Sequence, residues 1–214
     1  MFRVKNNEFV IPGQLVGTDI RHDSNCFREG GNVYSSVQGL ARIEDNTLKI
    51  IPSSGGYTPK EGDVVIGVVK DVLHGKWLVD IDASYPATMD GEEVTRNPQR
   101  VDLRDYFRVG DILSAKIFSV DEIHASKLGR PSKLEGGYII NINPKRVPRV
   151  IGKNKSMVNM LREKTNSRIV VGQNGRVWIN SANTAFVVSV VRKIEREAQT
   201  SGLTDRIEKL LNNA

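Results

Sequence analysis

The feature that most constrains the fold is a change of hydrophobic period near residue 145. Upstream, apolar residues come in short runs cut by glycine and proline. Phe9-Val10-Ile11 precedes Pro12-Gly13, Leu15-Val16 precedes Gly17, and Gly30-Gly31 and Gly55-Gly56 follow. Such punctuation leaves no room for helices and predicts strands joined by turns. Residues 33–43 and 47–51 are expected as strands joined at the hairpin turn Glu44-Asp45-Asn46. Residues 64–69 form an apolar run broken only by Gly67. Trp77, Val79 and Ile81 then alternate with Leu78, Asp80 and Asp82, the period of a half-buried strand.

Gly62-Asp63 opens the 64–69 run, and Gly110-Asp111 opens a similar one at 112–120. Five short strands around a long polar stretch at 84–108 suit an OB-type barrel. Downstream the texture changes. Residues 138–142 read as a strand, and Pro144 and Pro148 delimit a basic connector. Ser156 can cap a helix with Met157, Met160 and Leu161 on one face. Strands at 168–171 and 176–179 flank Gly172-Gln173-Asn174-Gly175. Val187, Val190, Val191, Ile194 and Ala198 follow helical spacing, which overrides their β-branched character. Leu203, Ile207, Leu210 and Leu211 give one more amphipathic helix. The expectation is a multidomain α+β chain: a small N-terminal β domain at 1–57, a barrel at 58–124, and a β-α-α-β-β-α domain with an extra helix at 125–214.

Charge separates these parts. The whole chain of 214 residues has a net charge of +6. Residues 1–57 are neutral, 58–124 carry −5 and 125–214 carry +11. The densest cluster is Lys127, Arg130, Lys133, Lys145, Arg146, Arg149, Lys153 and Lys155, opposed only by Glu135. Cations so placed release counterions from a polyanion, which gives salt-dependent binding. The single cysteine, Cys26, excludes disulfides within the chain and multi-thiolate metal sites. His22, His74 and His124 are far apart and no phosphate-binding or nucleophile motif is present, so no catalytic residue, metal or cofactor is expected. Asp80 and Asp82 share a strand face, which reads as an exposed acidic edge. The N-terminus lacks the apolar core of a signal peptide and no run is long enough to span a bilayer, so a cytoplasmic protein without membrane contact is expected.

Ile151-Gly152-Lys153-Asn154-Lys155, at the junction of the first two helices of the last domain, resembles the Gly-x-x-Gly loop of type I KH domains. That family clamps single-stranded nucleic acid there by its backbone. Lys155 stands where the second glycine would be. Residues 62–69, 75–81 and the Gly110-Asp111 strand resemble an S1 domain. Together with Val10-Ile11-Pro12-Gly13, the 51–63 string Ile-Pro-Ser-Ser-Gly-Gly-Tyr-Thr-Pro-Lys-Glu-Gly-Asp and the turn at 172–175, they resemble, over essentially the whole chain, the S1/KH cap subunits of the archaeal RNA exosome. The resemblance implies a non-catalytic RNA-binding subunit. Three copies cap a hexameric ring of RNase PH-like subunits and guide single-stranded RNA into its pore for 3′–5′ degradation. It implies RNA contacts at Lys145, Arg146, Arg149, Gly152, Lys153, Asn154 and Lys155. On the S1 side it implies contacts at Lys76, Trp77, Arg104, Tyr106, Phe107, Arg108 and Lys116. Gly172, Asn174 and Gly175 make a structural turn, and Phe9, Val10, Ile11 and Pro12 are the expected ring-docking surface. Alternatives are an RNA-processing enzyme related to polynucleotide phosphorylase, in which KH precedes S1, and a ribosome- or translation-associated RNA-binding protein. The other archaeal cap type ends in a zinc ribbon, which one cysteine cannot build.

Overall fold

The computed structural model describes residues 1–53, 55–198, 200 and 202–212, so Ser54 of the 51–63 string lies outside the described residues. The chain divides into two compact units, 1–55 and 56–214. The first holds β1 (Phe9–Val10), β2 (Leu15–Thr18), β3 (Arg21–His22), β4 (Cys26–Glu29), β5 (Asn32–Ser35), β6 (Gly39–Glu44) and β7 (Thr47–Pro52). They form two sheets, in the orders β2-β5-β4 and β1-β6-β7-β3. The strand expected at 33–43 is therefore two strands in different sheets, parted where buried Ser35 turns its hydroxyl onto the Val37 carbonyl. The hairpin at Glu44-Asp45-Asn46 is present, with Asp45 and Asn46 both at positive φ, the geometry that matches strand twist. Val10, Val16, Val33, Leu48 and Ile50 build the core of this unit.

The second unit opens with a closed barrel of β8 (Val64–Leu73), β9 (Lys76–Asp80), β10 (Ala87–Asp90), β11 (Ile112–Val120) and β12 (Ser126–Lys133). The fifth strand corrects the boundary expected at residue 125. β12 pairs antiparallel with β11 and parallel with β10, so the barrel runs on to Lys133. Its sequence, Ser-Lys-Leu-Gly-Arg-Pro-Ser-Lys, has one large apolar residue, Leu128, and so shows no period of two. Three of the cluster's cations, Lys127, Arg130 and Lys133, thus belong to the barrel. Lys133 is spent there on Asp111 at 2.8 Å.

The remainder is a sheet of β13 (Tyr138–Asn141), β14 (Arg168–Val171) and β15 (Arg176–Asn180), with β15 central and all pairs antiparallel. On it lie α1 (Val147–Ile151), α2 (Ser156–Thr165), α3 (Thr184–Arg196) and α4 (Leu203–Asn212). Val177 and Ile179 of β15 face the helices with Val150, Leu161, Val187 and Val191. Trp178 faces the other way and is buried with Ile66 and Leu134 against the barrel. This double burial makes β15 apolar on both faces.

The turn at 172–175 fastens the two parts. The first half of β8 has no partner strand on the side away from β11, and the turn takes that place. Gln173 N donates to the Val64 carbonyl and Val64 N donates to Gln173 Oε1, both at 2.9 Å. Ile66 N donates to Asn174 Oδ1 at 3.2 Å, while Asn174 Nδ2 donates to the carbonyls of Ile66 and Ile81, both at 2.8 Å. A Cβ on Gly172 would lie 2.8 Å from Ile66 N, and Gly175 sits at φ +84° with a Cβ position 2.4 Å from the Ile142 carbonyl. Both glycines are therefore required by close approach. Next to them Arg176 reaches the Asp80 carbonyl at 2.6 Å and its carboxylate at 2.7 Å.

Two outcomes follow from this junction. Asn174→Ala leaves the Ile66 N–H and the Ile81 carbonyl unpaired and the Ile66 carbonyl with only its long Arg176 contact, and is expected to cost about 2–4 kcal/mol. Asn174→Asp puts a carboxylate against two carbonyls and should cost more, so thermal melting of the full chain should rank wild type above Ala above Asp. Burial works to raise the Asp80 pKa, but the Arg176 hydrogen bond, the Asp82 N–H and the charges of Arg176 and Lys70 outweigh it and hold the carboxyl below the ordinary aspartate value of 3.8. A lowered native value gives stability that is present above the unfolded pKa and lost as pH falls through the native one. The gap in melting temperature between wild type and Asp80→Asn should therefore close on acidification below about pH 3.8 and persist at neutrality.

Candidate nucleic-acid interface

A groove lies at the loop between α1 and α2. Gly152 ends α1 at φ +76°, and a Cβ there would sit 2.6 Å from Met157 N, so only glycine lets the chain pass this closely. Asn154 and Lys155 follow in left-handed conformation, with φ of +52° and +64°. Lys155 thus keeps the backbone shape that a glycine would take at this position, at a cost of about 1 kcal/mol. It precedes α2 without a side-chain cap; the Ser156 N–H is taken by the Lys153 carbonyl, and the positive end of the helix dipole still favours an anion there.

Beside the loop is a cavity of about 230 Å³. Ile151, Lys155 and Val158 form one wall, Val170 and Val171 of β14 the other, and barrel residue Val64 closes one end. Arg162 spans it, donating from both Nε and Nη2 to the Ile169 carbonyl at 2.9 and 2.6 Å. Lys155 lines this cavity, Arg149 and Lys153 are exposed nearby in the chain, on α1 and in the loop, and none of the three makes an ion pair with a described residue. Lys145 is exposed in a 3-10 turn capped by Asn143.

Arg146 departs from the expectation. It is half-buried and donates to the Glu195 carbonyl at 3.0 Å, so it ties the connector to α3 and is not a free phosphate ligand. Val64 and Arg162 line the groove yet carry no signal in the sequence. Val64 arrives from another domain, and the Arg162 bond exists only once α2 lies beside β14.

The barrel corrects two more assignments. Trp77 and Phe107 are core residues, fully and 94% buried respectively. Their rings pack edge to face at 5.7 Å and Trp77 Nε1 donates to the Phe107 carbonyl, so neither can stack on a base. Tyr106, Arg104 and Arg108 are exposed on one loop, where Arg108 Nε reaches the Arg104 carbonyl at 3.3 Å. A concavity of about 260 Å³ lies there, lined by His74, Gly75, Pro98, Gln99 and Arg104. Arg96, Arg100, Arg104 and Arg108 do not share a helix; 3-10 turns at Gly91–Glu93 and Leu103–Asp105 punctuate this stretch. Lys76 is exposed on β9 opposite Asp90. Lys116 lies elsewhere, outward on β11 next to Val64.

In the first unit Val10 is fully buried and belongs to the core, which removes it from the docking surface. Phe9, Ile11 and Pro12 are exposed. Phe9 pairs with Leu40, and Leu40 with Ile51, so the three side chains form an apolar row across one sheet face.

A five-stranded OB barrel clamped to a three-stranded sheet with helices on one face, bearing a glycine-bent loop and a cationic groove, defines a nucleic-acid-binding protein of S1–KH architecture. Family models agree domain by domain: an exosome RNA-binding protein RRP4 N-terminal domain at 7–53, an RRP4 S1 domain at 56–119 and a KH domain at 137–185. The chain is 42% identical to exosome complex component Rrp4 of Pyrococcus abyssi, covering 97% of this chain and 83% of that protein. It is 41% identical to that of Methanothermus fervidus, covering 99% and 98%. A crystal structure assigned to an exosome complex RNA-binding protein matches with TM-score 0.65 and 36% identity, over 74% of this chain and 97% of that one. The chain belongs to the Rrp4 family of exosome complex components.

The left-handed loop predicts the effect of restoring the second glycine. Lys155→Gly relieves the strained backbone but loosens the unfolded chain, for a net gain of about 0.5 kcal/mol. Thermal denaturation should show the variant melting slightly above wild type, whereas Lys155→Ala should not gain.

Proposed function

We propose that the chain is the RNA-binding component of an exosome. Three copies cap a ring of RNase PH-like subunits and lead single-stranded RNA into the pore for 3′–5′ degradation in the cytoplasm. The observation that carries this reading is the cationic KH groove held in one body with an S1 barrel, in a chain about 40% identical along its length to Rrp4 proteins. Arg149, Lys153 and Lys155 supply phosphate contacts, and the positive end of the α2 dipole beside the Gly152 loop favours the same anion. Phe9, Leu40, Ile51 and Ile11 are the surface offered to the ring. S1 and KH units are binding domains, and catalysis lies with the ring. The Cys26 thiol fits a non-catalytic role: burial, helped by Asp23, pushes it up to about 12, far from a nucleophile.

Three weak sites on one cap raise the local RNA concentration at the pore without any single tight site. Mixing the protein with purified ring subunits and weighing the complex by native mass spectrometry should give three copies per hexamer. Failure to assemble would remove the cap assignment. Arg149→Glu with Lys153→Glu should weaken binding to a single-stranded RNA and flatten the log–log salt slope by about 1.4, at about 0.7 per lost phosphate contact.

A further inference from the structure

On the barrel, next to the groove but outside it, is a site centred on Phe118, a residue that none of the sequence motifs mark. Phe118 of β11 is 38% exposed: it follows inward Ile117, shares the outward row with Ser114 and Lys116, and is flanked by a shift in strand register. Its ring lies against the Gly129 backbone so closely that a Cβ on Gly129 would come within 2.0 Å of the ring edge. The Arg130 guanidinium sits over that ring, 5.9 Å from its centre. Arg130 reaches this place from a left-handed backbone, φ +50°, and Glu93 Oε2 fixes it by accepting Arg130 N–H at 3.0 Å. An arginine held at positive φ carries a conformational cost, and here the cost sets a guanidinium on an exposed aromatic ring. Lys127, outward on β12, and Lys116, outward on β11, flank the pair. Glu93 is the facing carboxylate, and one of its oxygens is engaged by the backbone.

The site is continuous with the KH groove. Val64, which closes the groove, stands directly across from Lys116 in the β8–β11 register, and Phe118 is two residues further along β11. One strand spacing and one two-residue step, taken at right angles, put the Phe118 backbone on the order of 8 Å from that of Val64. Cations around a π surface are the chemistry that holds single-stranded nucleic acid, with phosphates on the cations and a base on the ring. We propose that Phe118 and Arg130 form a base-stacking platform for single-stranded RNA, reached from the KH groove over Val64 and Lys116. This inference rests on the chain binding RNA at that groove.

The test is fluorescence titration of the full chain with a short oligoadenylate carrying 2-aminopurine, whose emission is quenched on stacking. Phe118→Leu keeps apolar volume and removes the π face; it should weaken binding about five- to tenfold and abolish part of the quench. Phe118→Tyr should restore both, and Arg130→Gln should weaken binding and reduce its salt dependence. Equal affinity and equal quench for wild type and Phe118→Leu would overturn the platform while leaving groove binding intact. Absence of RNA binding by wild type would instead overturn the proposed function itself. If Phe118→Leu binds RNA normally but no longer joins the ring, the patch is a protein contact and the inference fails.

Discussion

The Asn174 amide is the contact on which the geometry of the second unit depends. One side chain satisfies the amide and carbonyl of Ile66 and the carbonyl of Ile81, all groups that the barrel leaves unpaired where β9 stops short of the start of β8. A buried backbone group without a partner costs as much as a lost hydrogen bond, so the barrel edge is complete only when the KH turn is docked. Arg176 adds an ion pair beside it, and Trp178 and Ile66 fill the apolar gap behind. Barrel and KH sheet therefore behave as one body. For that reason Val64 can serve as a wall of a groove whose other walls come from more than eighty residues away.

This docking gives the Gly-x-Asn-Gly element a meaning that spacing alone cannot supply. Two glycines and an asparagine between strands already specify a tight turn. Which backbone the asparagine pairs with depends on residues 66 and 81, and no local pattern joins them to residue 174. Helices were legible because Val187 to Ala198 and Leu203 to Leu211 keep one apolar face at a fixed period. The β11 bounds were legible for a related reason: a Gly-Asp turn fixes the start, and alternation carries the rest. β12 was illegible because Gly129, Arg130 and Pro131 interrupt it, and its pairing with β10 is long-range.

Aromatic residues expose the same limit. Alternation in β9 separates Trp77 and Val79 from Lys76 and Leu78, yet it does not say which set faces inward. Barrel closure decides it, and the larger apolar side chains go in. The long loop then brings Phe107 onto the Trp77 edge and seals both. Phe118 escapes burial because alternation along β11 sends Leu113, Ala115 and Ile117 inward and leaves Phe118 on the outward row with Lys116, its ring against the Gly129 backbone.

The placement of β12 also redistributes the charge. With the barrel extended to Lys133, part of the cationic cluster that looked like a KH property stands on the barrel wall, while Arg146 and Lys133 are consumed by internal partners. What remains on the surface is a sparse set: Lys145, Arg149 and Lys153 on the connector, α1 and the loop, Lys155 at the groove, then Lys116, Lys127 and Arg130 beyond Val64. A sparse set of single charges beside apolar walls holds a flexible polyanion weakly at each point and lets it slide. Under the proposed function, tight capture at one point would oppose transfer of RNA to a distant active site. The substitution of lysine for the second loop glycine fits that economy, because it keeps the left-handed loop and an electrostatic hold while covering the bare main chain that would grip a phosphate most closely.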